Sequence, residues 1–156
     1  MGTSPFTPEE LTHAIKLLKC GKAQGPDNIP PEFLKHLGRN CLSWLREFYS
    51  SCLNHVAIPK IWRNATVIAV PKPNKPMDDP RSFRPISLLC VPYKLLERLL
   101  LFRLEPVVDP QLPAQQGGFR RGRSTVQQIV KLTSDIEESY EGRRKADLVL
   151  VDLTAA

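Results

Sequence analysis

Residues 65–71 read ATVIAVP and residues 82–87 read SFRPIS, with the polar stretch KPNKPMDDP at residues 72–80 between them. The first run is apolar and partly β-branched and stops at a proline, which is typical of a short β-strand. We interpret the second run as the antiparallel return of that strand across a polar turn. This stretch therefore predicts a β-hairpin near the middle of the chain.

The segments around the hairpin carry helical patterns. Two of them open with a capping box, in which Thr7 or Ser124 precedes a Glu or Gln three residues later. Five helices are predicted, beginning at Pro8, Pro31, Cys41, Pro92 and Thr125. The fourth helix is expected to end at Pro106, because proline interrupts the backbone hydrogen bonds of a helix.

One further apolar run lies near the end of the sequence, over residues 148–151, which read LVLV. A near-continuous apolar run of this kind is typical of a central strand that is buried on both faces. Together with the hairpin and the five helices, this run predicts an α+β fold that is mostly helical.

The composition suits one folded domain or part of one. Hydrophobic residues make up 42% and charged residues 24% of the 156 residues, close to globular averages. The four cysteines show no metal-ligand spacing, so we expect buried or partly buried free thiols. No signal peptide and no apolar run of membrane-spanning length is visible, which indicates a protein of a reducing, intracellular compartment without a membrane role.

The charge of the chain is unevenly distributed. The formal net charge is +6, but residues 60–131 contain 13 basic and 5 acidic residues, a net charge of +8. A basic middle region with nearly neutral flanks favours a local anionic partner. An ordinary solvated basic face remains the alternative.

Three features carry candidate chemistry. Asp152 directly follows the apolar run, where a carboxylate is a candidate ligand of Mg²⁺ or, alternatively, a cap or turn residue. Lys72 and Arg84 flank the hairpin turn, where two cations suit a triphosphate or simply form a basic hairpin. The stretch GGFRRGRS at residues 117–124 precedes a helix and suits phosphate, with a flexible basic turn as the alternative.

In this order, these segments resemble the reverse transcriptase of LINE-type, non-LTR retrotransposons, in particular the jockey-like ones. Five motifs carry the resemblance, at residues 21–30, 67–72 with 83–88, 93–97, 116–125 and 151–156. The resemblance extends over about residues 6–156. It implies a helical N-terminal extension over residues 1–59, a fingers subdomain over residues 60–145 and a truncated first palm strand over residues 146–156.

The resemblance also implies roles for individual residues. Asp152 matches the first catalytic carboxylate, which holds the two Mg²⁺ ions of nucleotidyl transfer. Lys72 and Arg84 match the residues that grip the incoming triphosphate. Contacts to template and phosphate are implied for Gly25, Asp27, Gly118, Phe119, Arg120, Arg121 and Arg123.

The implied activity is RNA-directed DNA synthesis, with an RNA template, a DNA primer and dNTPs as partners, in the nucleus and the cytoplasm. A complete polymerase of this kind does not fit in 156 residues. The chain ends before the family's other catalytic aspartates, so we expect it to be inactive by itself, to bind Mg²⁺ weakly and to need the palm and thumb of the parent enzyme. A basic RNA-binding remnant and a decayed element without a catalytic role are the alternatives.

Overall fold

The structure, a computed structural model, describes residues 4–151. The chain divides between residues 105 and 106 into two compact units. The described residues form five α-helices and one two-stranded antiparallel sheet. The predicted α+β class, with a mostly helical chain and one hairpin, is therefore confirmed.

The first unit contains four helices and both strands. In chain order its elements are α1 (Pro8–Lys16), α2 (Pro31–Lys35), α3 (Arg39–Asn54), β1 (Thr66–Pro71), β2 (Phe83–Leu88) and α4 (Val91–Val108), whose last turn enters the second unit. A 3₁₀ turn at Lys60–Arg63 precedes β1, and a second one at Pro80–Ser82 precedes β2. The second unit contains a 3₁₀ turn at Asp109–Gln111 and the helix α5 (Thr125–Glu141).

Both predicted capping boxes are present. The Thr7 hydroxyl accepts a hydrogen bond from the Glu10 amide at 3.2 Å, and the Glu10 carboxylate accepts one from the Thr7 amide at 2.7 Å. Ser124 and Gln127 exchange the same pair of bonds at 3.3 and 3.1 Å. These reciprocal bonds satisfy backbone donors that the first turn of a helix leaves free, so they explain where α1 and α5 begin.

One face of each of the three longer helices of the first unit forms its hydrophobic core. The core side chains come from the segment before α1, the helices, and the loops around them: Phe6, Leu11, Ala14, Ile15, Leu18, Leu34, Leu45, Tyr49, Cys52, Trp62, Cys90, Val91, Leu95, Leu96 and Leu99. The buried Tyr49 hydroxyl donates a hydrogen bond to the Pro92 carbonyl at 2.8 Å. This bond ties the middle of α3 to the first turn of α4.

Arg103, in the second half of α4, connects that helix to α1 and to the segment before it. Its guanidinium donates to both carboxylate oxygens of Glu10 at 2.7 Å and to the carbonyls of Ser4 and Pro5 at 2.6 and 2.8 Å. It also lies 4.4 Å from the centre of the Phe6 ring. The Arg103 hydrogen bond is the main reason that the pKa of Glu10 lies below its usual value.

Pro106 does not end the fourth helix as predicted. Helix α4 continues through Pro106 to Val108. The proline stands two residues before the end of the helix, where it removes one backbone hydrogen bond near a terminus instead of breaking a long interior. The 3₁₀ turn at Asp109–Gln111 then follows directly.

The second unit has no buried side chain among residues 106–151. The prediction of a buried strand at residues 148–151 is wrong, because these residues carry no regular secondary structure and all four are exposed. A central strand needs hydrogen-bonded neighbours on both edges. In the part of the chain that the structure describes, the two strands pair with each other, and neither pairs with this segment.

The cysteines follow the prediction in part. All four are free thiols, and Cys52 and Cys90 are buried as expected. The prediction is wrong for Cys20 and Cys41, which are exposed. Cys20 lies in the loop after α1, and Cys41 lies in the first turn of α3, on the same side of the helix as the buried Leu45 and Cys52.

Candidate nucleotide-binding and nucleic-acid-binding sites

Lys72 and Arg84 lie on the same face of the hairpin. Arg84 pairs directly with Val70 across the two strands. The Lys72 amide extends the ladder by donating to the Ser82 carbonyl at 2.7 Å. Since side chains alternate between the faces of a strand, Lys72 shares its face with Val70 and with Arg84. The two cations are therefore diagonal neighbours across the hairpin. Long side chains at such positions are close enough to contact the same ligand.

The turn beside these cations is internally ordered. The Asp79 carboxylate accepts a hydrogen bond from the Arg81 amide, and the Asp79 carbonyl accepts one from the Ser82 amide, both at 2.9 Å. The Lys72 ammonium donates to the Arg81 carbonyl at 2.8 Å. Lys72 is thus held against the turn through its side chain.

Arg84 differs from Lys72 in its contacts. Its side chain is exposed and makes no hydrogen bond or ion pair with any other residue in the 4–151 range. The same face continues toward the open end of the hairpin with Ile68 and Ile86, which pair across the strands and are also exposed. The hairpin therefore presents one free guanidinium, one tethered ammonium and an apolar pair on a single exposed surface.

The loop between α1 and α2 places Gly25 and Asp27 against the first unit's core. A Cβ atom on Gly25 would lie 2.5 Å from the Leu89 carbonyl carbon and 2.7 Å from the Cys90 Cα. Only glycine allows this close approach to the segment between β2 and α4. This packing accounts for Gly25 without any contact to nucleic acid.

Asp27 in the same loop is incompletely satisfied. Its Oδ1 accepts a hydrogen bond from the Ile29 amide at 3.3 Å, while its Oδ2 is buried and has no hydrogen-bond partner. A buried carboxylate oxygen without a donor is costly, because it has lost water and gained nothing in return.

In the second unit, the loop before α5 separates its three arginines into two kinds. The Arg120 guanidinium donates to both carboxylate oxygens of Asp109 at 2.9 and 3.0 Å and to the carbonyls of Asp109 and Pro113. Its side chain is only 9% exposed. Its hydrogen bonds hold the pKa of the Asp109 carboxyl below the usual range. Arg121 and Arg123 are exposed, and their side chains make no hydrogen bond to other described residues.

The same loop exposes an aromatic ring. Phe119 has a φ of 59° and is fully exposed, and Gly122 follows with a φ of 74°. Left-handed backbone is uncommon for a residue with a bulky side chain. Gly118 beside it has open space around its Cα. The loop therefore exposes the Phe119 ring. The neighbouring Arg120 is fixed by its hydrogen bonds to Asp109 and Pro113.

The catalytic residue predicted from the sequence, Asp152, lies outside the described residues. Within residues 4–151 there is no group of three or more His, Cys, Asp or Glu side chains that is arranged to hold a metal ion. The described part of the chain therefore does not fit a magnesium site by itself. In the same range no helix is both long and apolar enough to cross a membrane.

Sequence reasoning missed the residue that fixes the Arg120 loop. Asp109 lies eleven residues before Arg120, in a short turn after α4. An isolated acid beside a proline gives no pattern that would identify such a partner. Asp79, which orders the hairpin turn, was likewise not singled out.

Comparison with known proteins places the chain in a family. Residues 70–156 match the family described as reverse transcriptase (RNA-dependent DNA polymerase). The chain is 37% identical over 97% of its length to the probable RNA-directed DNA polymerase from transposon BS of Drosophila melanogaster. It is 30% identical over its whole length to the corresponding protein from transposon X-element, and 32% identical over 98% of its length to the RNA-directed DNA polymerase from mobile element jockey, both from the same fly.

The chain belongs to the reverse transcriptase family, and its relatives include the polymerase of the jockey element, as the resemblance implied. The chain spans 17% of the length of each of these three relatives.

Proposed function

We propose that this chain forms the nucleotide- and template-contacting fingers region of an RNA-directed DNA polymerase, which extends a DNA primer with dNTPs along an RNA template in the nucleus or cytoplasm. The observation that carries this proposal is the hairpin face shared by Lys72 and Arg84. Family membership supports the same conclusion.

The hairpin suits the triphosphate of a dNTP. The free Arg84 guanidinium offers paired donors that match two phosphate oxygens, and Lys72 adds a compact positive charge nearby. The exposed pair of Ile68 and Ile86 on the same face offers an apolar surface for the sugar. Lys72 must release the Arg81 carbonyl to reach a phosphate, so Arg84 supplies the larger share of the affinity.

The loop before α5 suits single-stranded template RNA. An exposed aromatic ring such as Phe119 stacks on bases without selecting their identity, and the flanking Arg121 and Arg123 are free to contact phosphates. Arg120 positions the loop and does not contact RNA in this arrangement, because its guanidinium donates its hydrogen bonds to Asp109 and Pro113. Gly118 takes part through the open space around its backbone, whereas Gly25 is explained by its packing within the first unit.

Asp152 is proposed as the first catalytic carboxylate on the basis of its place in the family motif alone. Two Mg²⁺ ions, when bound in the complete enzyme, would stabilise the charge of the triphosphate during transfer. The absence of a metal-ligating cluster within residues 4–151 leaves the other ligands to the rest of the polymerase.

A binding measurement tests the hairpin proposal. We expect Arg84→Ala to weaken binding of a base-labelled fluorescent dNTP by about tenfold, because one charge-assisted contact to phosphate is lost. The dNTP affinity of Arg84→Lys is expected to lie between those of Arg84→Ala and the unchanged protein, since lysine keeps the charge but not the paired donors. The matched control is Lys16→Ala, which removes the same charge from an exposed site on α1. Equal affinity of Arg84→Ala and the unchanged protein would refute the role of the hairpin.

A salt titration tests the template proposal. On single-stranded RNA, the slope of log affinity against log salt is about −0.7 for each phosphate contact. The double variant Arg121→Ala/Arg123→Ala should therefore reduce the slope by about 1.4. The control Lys16→Ala/Lys19→Ala removes two exposed charges from the first unit and should leave the slope unchanged. An unaltered slope in the arginine double variant would remove this loop from the template-binding surface.

A further inference from the structure

The first unit contains a cleft between α1 and α3 that the polymerase proposal does not use. It encloses about 310 Å³, at the lower end of the range of small-molecule sites. The apolar part of its lining includes the buried Leu11 of α1 and the half-buried Leu42 of α3. The polar side chains of the lining are Thr12 on α1 and Arg39, Ser43 and Arg46 on α3.

The three polar side chains of α3 lie on one face of that helix. Ser43 stands four residues after Arg39 and three residues before Arg46, and residues at these spacings are neighbours on a helix surface. The two arginines are separated by about 10.5 Å along the helix axis. Their long side chains can therefore converge on a ligand that lies between them, beside the Ser43 hydroxyl.

The donors of this face are available to a ligand. Within residues 4–151, the Arg39 guanidinium and the Ser43 hydroxyl make no hydrogen bond or ion pair. Arg46 forms one ion pair, with its chain neighbour Glu47 at 3.5 Å, and the Glu47 side chain is 69% exposed. An ion pair that is open to solvent in this way contributes little. The Arg46 guanidinium can therefore exchange it for a stronger acceptor.

The charge of the cleft selects an anion. Its lining, drawn from the described residues, contains two arginines and no carboxylate. On α1, Glu9 lies outside the lining, and Glu10 is bound to Arg103. A phosphate monoester has a charge of about −1.5 to −2 and three acceptor oxygens. A carboxylate has one charge and two oxygens, so the monoester matches two guanidinium groups and a hydroxyl better.

We propose that this cleft binds a phosphate monoester, with its phosphate between Arg39 and Arg46 and its organic group against Leu11 and Leu42. Both guanidinium groups donate charge-assisted hydrogen bonds to the phosphate oxygens, and the Ser43 hydroxyl donates a further one. The two leucines remove the organic group from water. None of these residues lies in the hairpin, so the proposal stands or falls independently of dNTP binding there.

Three probes separate the two kinds of contact. Phenyl phosphate carries both the ring and the phosphate, benzoate carries the ring with a single charge, and inorganic phosphate carries no ring. In isothermal titration calorimetry at about pH 8, where the monoester is a dianion, we expect phenyl phosphate to saturate. Its affinity should be at least about tenfold higher than that of benzoate or inorganic phosphate. In amide NMR spectra, it should shift residues 8–12 and 39–46.

An arginine variant and a matched control test the assignment to the cleft. Arg39 is exposed, so Arg39→Ala should keep the fold and weaken phenyl phosphate binding by about tenfold, because one charge-assisted contact is lost. The control Arg63→Ala removes an exposed arginine that lies outside the cleft, and it should leave the affinity unchanged.

A further comparison distinguishes two sources of the monoester, a small phosphorylated molecule and the 5′ end of an RNA strand. The same single-stranded RNA is titrated with a 5′-phosphate and with a 5′-hydroxyl. A preference for the phosphorylated strand that Arg39→Ala abolishes identifies the RNA end as a ligand, whereas equal affinities assign the cleft to small monoesters. The proposal is overturned if phenyl phosphate does not saturate, if benzoate or inorganic phosphate binds as tightly, or if Arg39→Ala binds as tightly as Arg63→Ala.

Discussion

The two compact units of the chain are stabilised in different ways. The first unit buries fifteen hydrophobic side chains in one core, whereas residues 106–151 of the second unit bury none. Both units contain a helix that starts with a complete capping box. In α1 the cap is followed by the buried side chains of Leu11, Ala14 and Ile15, while in α5 the corresponding apolar side chains, such as Val126 and Ile129, are exposed.

A capping box therefore determines where a helix starts, whereas the burial of its apolar face determines how stable it is. A cap satisfies a few backbone donors, but most helical stability in proteins comes from packing an apolar face. In the first unit the hairpin is followed directly by α4, which contributes Val91, Leu95, Leu96 and Leu99 to the core. The second unit orders its loop locally, through Arg120 and Asp109, and its apolar side chains, such as Val126 and Ile129, stay exposed.

The largest expected effect contrasts a core leucine with an exposed isoleucine. Leu95 is fully buried, and Leu95→Ala should reduce the free energy of unfolding of the first unit by about 2–5 kcal/mol. Ile129→Ala, at a site 63% exposed on α5, should change it by less than about 0.5 kcal/mol. Urea denaturation followed by tryptophan fluorescence measures both, since both tryptophans lie in the first unit. Similar losses in the two variants would remove the distinction between the units.

A smaller effect concerns the contact between Glu10 and Arg103. Because the folded pKa of Glu10 is lowered, its stabilisation is present above its ordinary pKa of 4.5 and is lost as the pH falls through the folded value. Glu10→Gln should cost about 1–2 kcal/mol at pH 7. The difference from the unchanged protein should shrink as the pH falls below about 4.5. A difference that stays constant from pH 7 to pH 3 would show that the ion pair does not stabilise the unit.

The smallest effect leaves stability unchanged and concerns thiol reactivity. Burial raises the pKa of the Cys52 and Cys90 thiols, while Cys20 and Cys41 are exposed. Since the thiolate is the reactive form, two thiols should react rapidly with a disulfide reagent at pH 8, and the other two should react only on unfolding. The double variant Cys20→Ser/Cys41→Ser should lose the rapid phase. A rapid phase of four thiols in the folded protein would contradict the packing of the core.

Local patterns in the sequence predicted most of the fold. The capping boxes at Thr7 and Ser124 and the apolar run before Pro71 correctly predicted α1, α5 and β1, because each is determined by neighbours within a few residues. The common face of Lys72 and Arg84 required one further fact, the register of the hairpin, which sequence alone does not fix.

Features that depend on distant partners were not predictable in the same way. Arg103 meets Glu10 across 93 positions of sequence, and nothing local marks that pair. The run at residues 148–151 has the composition of a buried strand, but burial depends on neighbouring strands that the described residues do not supply. The roles predicted for Asp152, Lys72 and Arg84, and the boundaries at residues 59 and 145, stay predictions.

The most direct test of the central claim, that the exposed hairpin of the core-bearing unit binds a dNTP, is hydrogen exchange followed by mass spectrometry with and without a saturating dNTP. We expect the backbone amides of residues 66–88 to exchange more slowly when the dNTP is bound, since the ligand orders both strands and the turn. The amides of α3 should exchange slowly and those of α5 rapidly in both states. Unchanged exchange across residues 66–88 at saturation would contradict the claim.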